Sequence, residues 1–240
     1  MAADFVYGRI PVLECLKAQK RAARRLILLE GGKNQNEFIS AAQDIPVEWV
    51  TRKELDYMTH EGVHQGIVLE ADPIPLLNLE TWLEDSSNPQ SLIVILDSVE
   101  DPHNFGAITR SAAACGVSAL IFAKDRAAPV SPVSMKSAAG AMEYVDLIQV
   151  TNLPRALDVL KKHDYWVAGL DPEGEKILWD ADFTGKTGLV IGNEGKGIRP
   201  LVRKKCDYLV HIPISGPISS LNASVSAAIA LMECVRQQHL

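Results

Sequence analysis

No stretch of this 240-residue chain comes near the ~20 consecutive apolar residues that a membrane-crossing helix needs. The opening MAADFVYGRIP has neither a basic n-region nor an apolar h-region, so no secretory signal is expected there and the protein is expected in the cytoplasm. Cysteine is scarce. Cys15, Cys115, Cys206 and Cys234 lie far apart without a C-x-x-C pair, which argues against a zinc knuckle or a dithiol redox site and for reduced core residues. Positive charge is in deficit as well: 24 Lys and Arg against 30 Asp and Glu leave a net charge of −6, which excludes a protein that binds polyanions over its whole surface. Two further absences narrow the nucleotide chemistry. No G-x-G-x-x-G follows a strand, because Gly192, Gly195 and Gly197 run in the reverse order, and a dehydrogenase is not expected. Gly185-Lys186-Thr187 imitates the end of a phosphate loop, but the first glycine of that loop would fall at Asp180, and an NTPase is not expected either.

What is present is an ordinary globular composition, 47% hydrophobic and 22% charged, with length for one large domain or a small one joined to a medium one. Residues 1–72 alternate helical stretches with the strand candidates RLILLE (25–30), PVEWVT (46–51) and GIVLEA (66–71), as a small α/β unit would. Residues 73–90 are interrupted by Pro73, Pro75 and Pro89 and are read as a linker with room for only a short helix. SLIVILD (91–97) is apolar almost throughout, the signature of a strand buried on both faces of a parallel sheet. Helix and strand candidates then alternate to a closing helix at 222–238, so residues 91–240 predict a parallel α/β domain.

Three segments carry polar residues and glycines at strand ends, where open α/β sheets place ligands. In DPHNFGAITRSAAACG (101–116), Asn104 is placed to cap a helix beginning near Phe105, and Gly106 to admit another backbone closely. Arg110 lies six residues on, about 120° round the helix, so the two reach one site only if Asn104 precedes the helix proper. In GLVIGNEGKGIRP (188–200), Glu194 sits among three glycines that would let bare amides approach a ligand. In HIPISGPISSLNASVSAAI (211–229), Ser219, Ser220 and Asn222 precede a helix that needs only one cap. Taken alone, the first two segments read first as an ordinary cap and an ordinary turn, and any one residue of the third could be a cap. A formal H-E-x-x-H, His60-Glu61-Gly62-Val63-His64, would suggest a zinc peptidase, but Gly62 and the following turn oppose the helix that this motif requires. His103 and His211 have no partner at a catalytic spacing and read as structural. Two basic clusters stand out against the acidic total: Lys17, Lys20, Arg21, Arg24 and Arg25, and Arg203 to Lys205, either of which is a phosphate-binding surface or a solvated face.

Together the three segments resemble the SpoU family of RNA ribose methyltransferases within the SPOUT superfamily. Asn104, Gly106 and Arg110 match its first motif, Gly192, Glu194, Gly195 and Gly197 its second, and Ser220, Leu221, Asn222 and Ser224 its third. Residues 5–72, including the HQG at 64–66, look like the family's amino-terminal RNA-binding domain, and the two-domain form is most similar to enzymes that methylate a guanosine of large-subunit ribosomal RNA. The resemblance implies a trefoil-knotted parallel-sheet domain, an exception to the avoidance of threading, together with a homodimer and S-adenosylmethionine without a metal. It implies cofactor contacts at Gly192, Gly195, Ile212 and Leu221, and catalytic roles for Arg110, Asn104, Glu194, Ser220 and Asn222. Lys17, Lys20, Arg21, Arg24 and Arg25 are the expected RNA contacts. In the family the residue matching Arg110 activates the 2′-hydroxyl, but a guanidinium stays protonated and is a poor base, so phosphate binding or alkoxide stabilisation stands beside that role. A transfer-RNA substrate, or an RNA-binding protein of this fold without turnover, remain the alternatives.

Overall fold

Six successive apolar-to-acidic residues, Leu92–Asp97, are all buried, which a strand achieves only when both faces of its sheet are covered. The computed structural model describes residues 3–85, 91–125, 127, 130–218 and 220–238; Ser219 and residues 86–90 of the expected linker lie outside the described residues. The chain divides into two compact units, residues 1–75 with 139–144, and residues 76–138 with 145–240.

The first unit follows β1 (Asp4–Tyr7), α1 (Arg9–Ala18), β2 (Ala23–Leu29), α2 (Asn36–Ala42), β3 (Val47–Val50), α3 (Arg52–Met58) and β4 (Ile67–Ala71). Its sheet has the order β1-β4-β2-β3, with β2 and β3 parallel and the other pairs antiparallel. Ile27, Val50, Leu55 and Val68 form the core between one sheet face and α3.

The second unit continues with β5 (Leu76–Leu77), α4 (Leu79–Glu84), β6 (Leu92–Asp97), α5 (Pro102–Ala114), β7 (Ala119–Ala123), α6 (Pro132–Ala138), β8 (Asp146–Val150), α7 (Leu153–Lys162), β9 (Trp166–Leu170), β10 (Lys176–Ile177), β11 (Thr187–Gly192), α8 (Pro200–Arg203), β12 (Tyr208–His211) and α9 (Ala223–Gln238). Its eight strands, all parallel to their neighbours, have the order β10-β12-β9-β11-β6-β7-β8-β5. After β6 the chain moves to one side, through β7 and β8; after β11 it moves to the other, to β12. Open α/β sheets bind ligands beyond the carboxyl ends of two such strands. Within the stretch read as a linker, β5 pairs with β8 and α4 buries Leu79, Trp82 and Leu83 in the core of this unit.

Helix α5 begins three residues earlier than expected. Asp101, not Asn104, is its cap, accepting from His103 N at 2.9 Å, and Pro102 takes the first helical position, where a missing N–H costs nothing. Gly106 has the expected role: a Cβ there would lie 2.4 Å from the Ser134 carbonyl and 2.6 Å from the Ser137 Cβ, so α5 and α6 pack backbone to backbone.

Candidate active site

The glycine turn leaves β11 in register with β6, Gly192 opposite Asp97, at the point where the connections diverge. Its shape is set by two residues at the end of β6. Asp97, with no exposure, accepts from Arg199 N at 2.7 Å and Arg199 Nε at 2.6 Å, so a buried carboxylate is fully paired where it would otherwise be costly. Ser98, held at φ 63°, turns its carbonyl to accept from Asn193 Nδ2 at 2.9 Å. Asn193 Oδ1 accepts from Gly195 N (3.0 Å) and Lys196 N (3.1 Å), and the Asn193 and Gly197 backbones pair in both directions. Gly192 is required here, since a Cβ would meet the Gly197 carbonyl carbon at 2.4 Å, and Gly197 adopts φ +64°.

One line of side chains joins the three sequence motifs. Asn222 caps α9, its Oδ1 accepting from Ser224 N at 2.9 Å and from the Ser224 hydroxyl at 2.6 Å. That fixes its amide, so Asn222 Nδ2 donates to Asn104 Oδ1 at 3.1 Å. Asn104 Nδ2 in turn donates to Glu194 Oε1. Each amide has one acceptor end and one donor end, so the cap on α9 dictates the orientation of both asparagines and presents the last donor to a carboxylate.

Beside this line a cleft of ≈ 860 Å³ opens between the turn and the irregular segment after β12, within the size range of small-molecule sites. Gly192, Gly195, Ile212 and Leu221, the four expected cofactor contacts, line it, as do Glu194 and Ser220. Its far end is polar: Arg203 lies 3.6 Å from Asp171 and 3.2 Å from Glu173. Apolar side chains on both walls, at Ile191, Ile198, Ile212 and Leu221, with main chain bared at the glycines, suit a nucleoside gripped by packing and backbone groups. The residues present therefore fit S-adenosylmethionine.

Arg110 is not brought to this site by its own chain. Because α5 starts at Pro102, Asn104 lies inside the first turn, and six residues of helix put Arg110 about 120° away, exposed and with no side-chain hydrogen bond or ion pair to any described residue. The reading of Asn104 as the cap is corrected accordingly. The basic run is corrected at Arg21, whose side chain is 2% exposed and pairs with Glu143 at 2.7 Å inside the first unit, out of reach of any phosphate. Lys17 pairs with Glu14, Arg24 with Asp72, and Arg25 with Glu48 and Glu70. His60 and Glu61 both have left-handed backbone (φ 49° and 61°), so the H-E-x-x-H residues do not share a helix face. His64 is buried between Asp56 and the Gly66 N–H. Sequence reasoning missed Asp97, Asn193 and Arg199; the one available signal was a carboxylate closing an otherwise apolar strand.

Residues 91–232 match the SpoU rRNA methylase family model, and residues 5–77 match the model described as RNA 2′-O ribose methyltransferase substrate binding. The 23S rRNA (guanosine-2′-O-)-methyltransferase RlmB of Pseudomonas putida is 40% identical across 98% of this chain and 97% of that protein. Its Escherichia coli counterpart is 38% identical across 98% and 99%. Among solved structures, the SpoU methyltransferase AviRb of Streptomyces viridochromogenes superposes with a TM-score of 0.84 at 28% identity, covering 99% of this chain and 90% of that one. The AviRb complex with the cofactor AdoMet gives 0.79 at 27%, covering 99% and 91%.

Proposed function

Since this chain belongs to the SpoU rRNA methylase family, we propose that it transfers a methyl group from S-adenosylmethionine to the ribose 2′-hydroxyl of a guanosine in 23S ribosomal RNA. The observation that carries this reading is the line Glu194, Asn104, Asn222, which draws the three motifs together beside one cleft. The cofactor, when bound, supplies a methyl group on a positively charged sulfur, an electrophile that requires no metal. Gly192 and Gly195 bare main chain to it, and Ile212 and Leu221 pack against it. Asn104, Ser220 and Asn222 orient the ribose and its phosphate, and Glu194 holds Asn104. Alignment of the two reactants accounts for ~7–11 kcal/mol of the barrier, so gripping both is the main task of the site. Arg110 binds the neighbouring phosphate and stabilises the developing alkoxide with its guanidinium, while water or a phosphate oxygen takes the proton.

Helix phase turns Arg110 away from Asn104 of the same chain, so the reading includes a homodimer in which each copy lends its Arg110 to the other's site. It also includes a trefoil-knotted catalytic domain, an amino-terminal domain over 1–72 that selects the RNA, and work in the cytoplasm, where four free thiols stay reduced. Lys17, Lys20, Arg24 and Arg25 contribute to RNA binding only by exchanging present partners for phosphates.

The test is labelled methyl transfer into 23S ribosomal RNA. Arg110→Ala abolishes transfer and leaves cofactor affinity within a few-fold. Mixed dimers of Arg110→Ala and Asn104→Ala regain about a quarter of parental activity, because half the dimers carry one intact composite site. Full activity of Arg110→Ala alone, or no calorimetric heat with S-adenosylhomocysteine, refutes the reading. Label entering transfer RNA instead would reassign the substrate.

A further inference from the structure

The cations that the first unit leaves uncompensated are not those of the basic run. The side chains of Lys33, Arg52 and Lys53 are exposed and make no hydrogen bond or ion pair with a described residue, whereas Arg9, Lys17, Arg21, Arg24 and Arg25 all meet carboxylates. Arg52 and Lys53 open α3, and one helical turn beyond Lys53, on the side away from the buried Leu55, stands Tyr57 at 85% exposure. The chain then enters a strained turn. His60, Glu61 and Gln65 all take left-handed backbone, at φ 49°, 61° and 55°. Such strain persists only where surroundings over-determine it, and here they do. His64 is clamped between Asp56 Oδ1 and Gly66 N, each at 2.9 Å, Glu61 N donates to Asp56 O at 2.7 Å, and Gln65 Oε1 accepts from Arg9 N at 2.9 Å. The inside of the turn is locked while His60, Glu61, Val63 and Gln65 face solvent, Val63 at 62% exposure.

We propose that Arg52, Lys53, Tyr57 and the His60–Gln65 turn form a docking surface for an unpaired stretch of the RNA substrate. Tyr57 offers its ring to a base, Lys53 on the same helix face holds the adjacent phosphate, Arg52 at the helix start holds one farther along the strand, and the rigid turn carrying Val63 closes the apolar side. Free cations next to an exposed ring are the combination that single-stranded nucleic acid recognises. Of the neighbouring acids, Glu54 is tied to Thr51 and Asp56 to His64, and Glu61 is exposed in the turn. This inference rests on RNA being the substrate.

The experiment uses the full chain and a 23S ribosomal RNA transcript. Tyr57→Ala binds RNA about tenfold more weakly, as loss of one stacked base requires, while Tyr57→Phe retains parental affinity. Arg52→Gln with Lys53→Gln lowers the salt slope of binding by about 1.4, for two phosphate contacts to a single strand. None of these side chains has a partner among the described residues, so Tm and cofactor affinity stay at parental values. Parental RNA affinity and salt slope in both variants overturn the inference, as does unchanged RNA binding with lost capture of ribosomal proteins. A parent that binds RNA through this surface yet transfers no methyl group leaves the surface standing and removes the catalytic reading.

Discussion

Asn222→Asp tests whether the line of amides sets the geometry of the site. Aspartate caps a helix as well as asparagine, so α9 keeps its first-turn acceptor. What is lost is polarity: Asn222 Nδ2, which donates to Asn104 Oδ1 at 3.1 Å, becomes a second acceptor. Asn104 then has carboxylates on both sides and one NH₂ to offer, so whichever way its amide turns, an oxygen faces an oxygen. Asn104 is 8% exposed, and leaving its acceptor unpaired costs about 1–3 kcal/mol. At roughly 2–4 °C per kcal/mol for a chain of this size, Tm falls by about 2–12 °C. Asn222→Ala, which removes the cap as well, loses about 1 kcal/mol more. Adding Glu194→Gln to Asn222→Asp reverses the whole line: Asn104 flips, donates to Asp at 222 and accepts from Gln at 194. The double variant therefore recovers most of the lost stability, with a coupling of about 1–2 kcal/mol in a double-mutant cycle read by thermal unfolding. Additive losses in that cycle, or an undiminished Tm for Asn222→Asp alone, would refute the reasoning.

Gly192→Ala forces a Cβ against the Gly197 backbone, so it destabilises by about 1–3 kcal/mol and ends cofactor binding. Gly195→Ala, whose Cβ meets nothing nearer than 3.7 Å, keeps parental Tm; calorimetry with S-adenosylhomocysteine on both checks the contrast. Arg21→Ala strands the buried Glu143 and costs about 3–5 kcal/mol in denaturant unfolding, while the affinity of the folded fraction for RNA is unchanged. Tyr144 donates to Glu14 at 2.6 Å, which pushes its hydroxyl up to about 12 and lowers the Glu14 carboxyl. A raised hydroxyl adds stability that is fully present below its unfolded value near 10 and lost as pH climbs through 12. Tyr144→Phe is accordingly less stable than the parent at pH 7–9, and the gap closes towards pH 12. A gap that widens with alkali contradicts this assignment.

Much of the architecture was legible in local pattern. SLIVILD becomes β6, and the closing helix expected over 222–238 starts one residue later, at Ala223, because burial on both faces and helical periodicity are written directly into the order of apolar residues. The motif residues were legible through resemblance, and Gly106 and Gly192 through their lack of a Cβ. The start of α5 was misread because Asp101, Pro102 and Asn104 all suit a helix start, and local preference does not rank them.

The sequence by itself determined the class of fold, the segments that carry chemistry and the excess of acid over base. Tertiary structure alone decided which charges cancel. Five bases in nine residues look like one patch, yet Arg21 is buried on Glu143, 122 positions away, and Arg25 is divided between Glu48 and Glu70. Tertiary structure likewise decided that Glu194, Asn104 and Asn222 form one hydrogen-bonded line while Arg110 turns aside. The reason is one of range. Burial and periodicity act between near neighbours and leave a trace in residue order, whereas ion pairs and hydrogen bonds act over about 3 Å between residues whose separation along the chain can take any value.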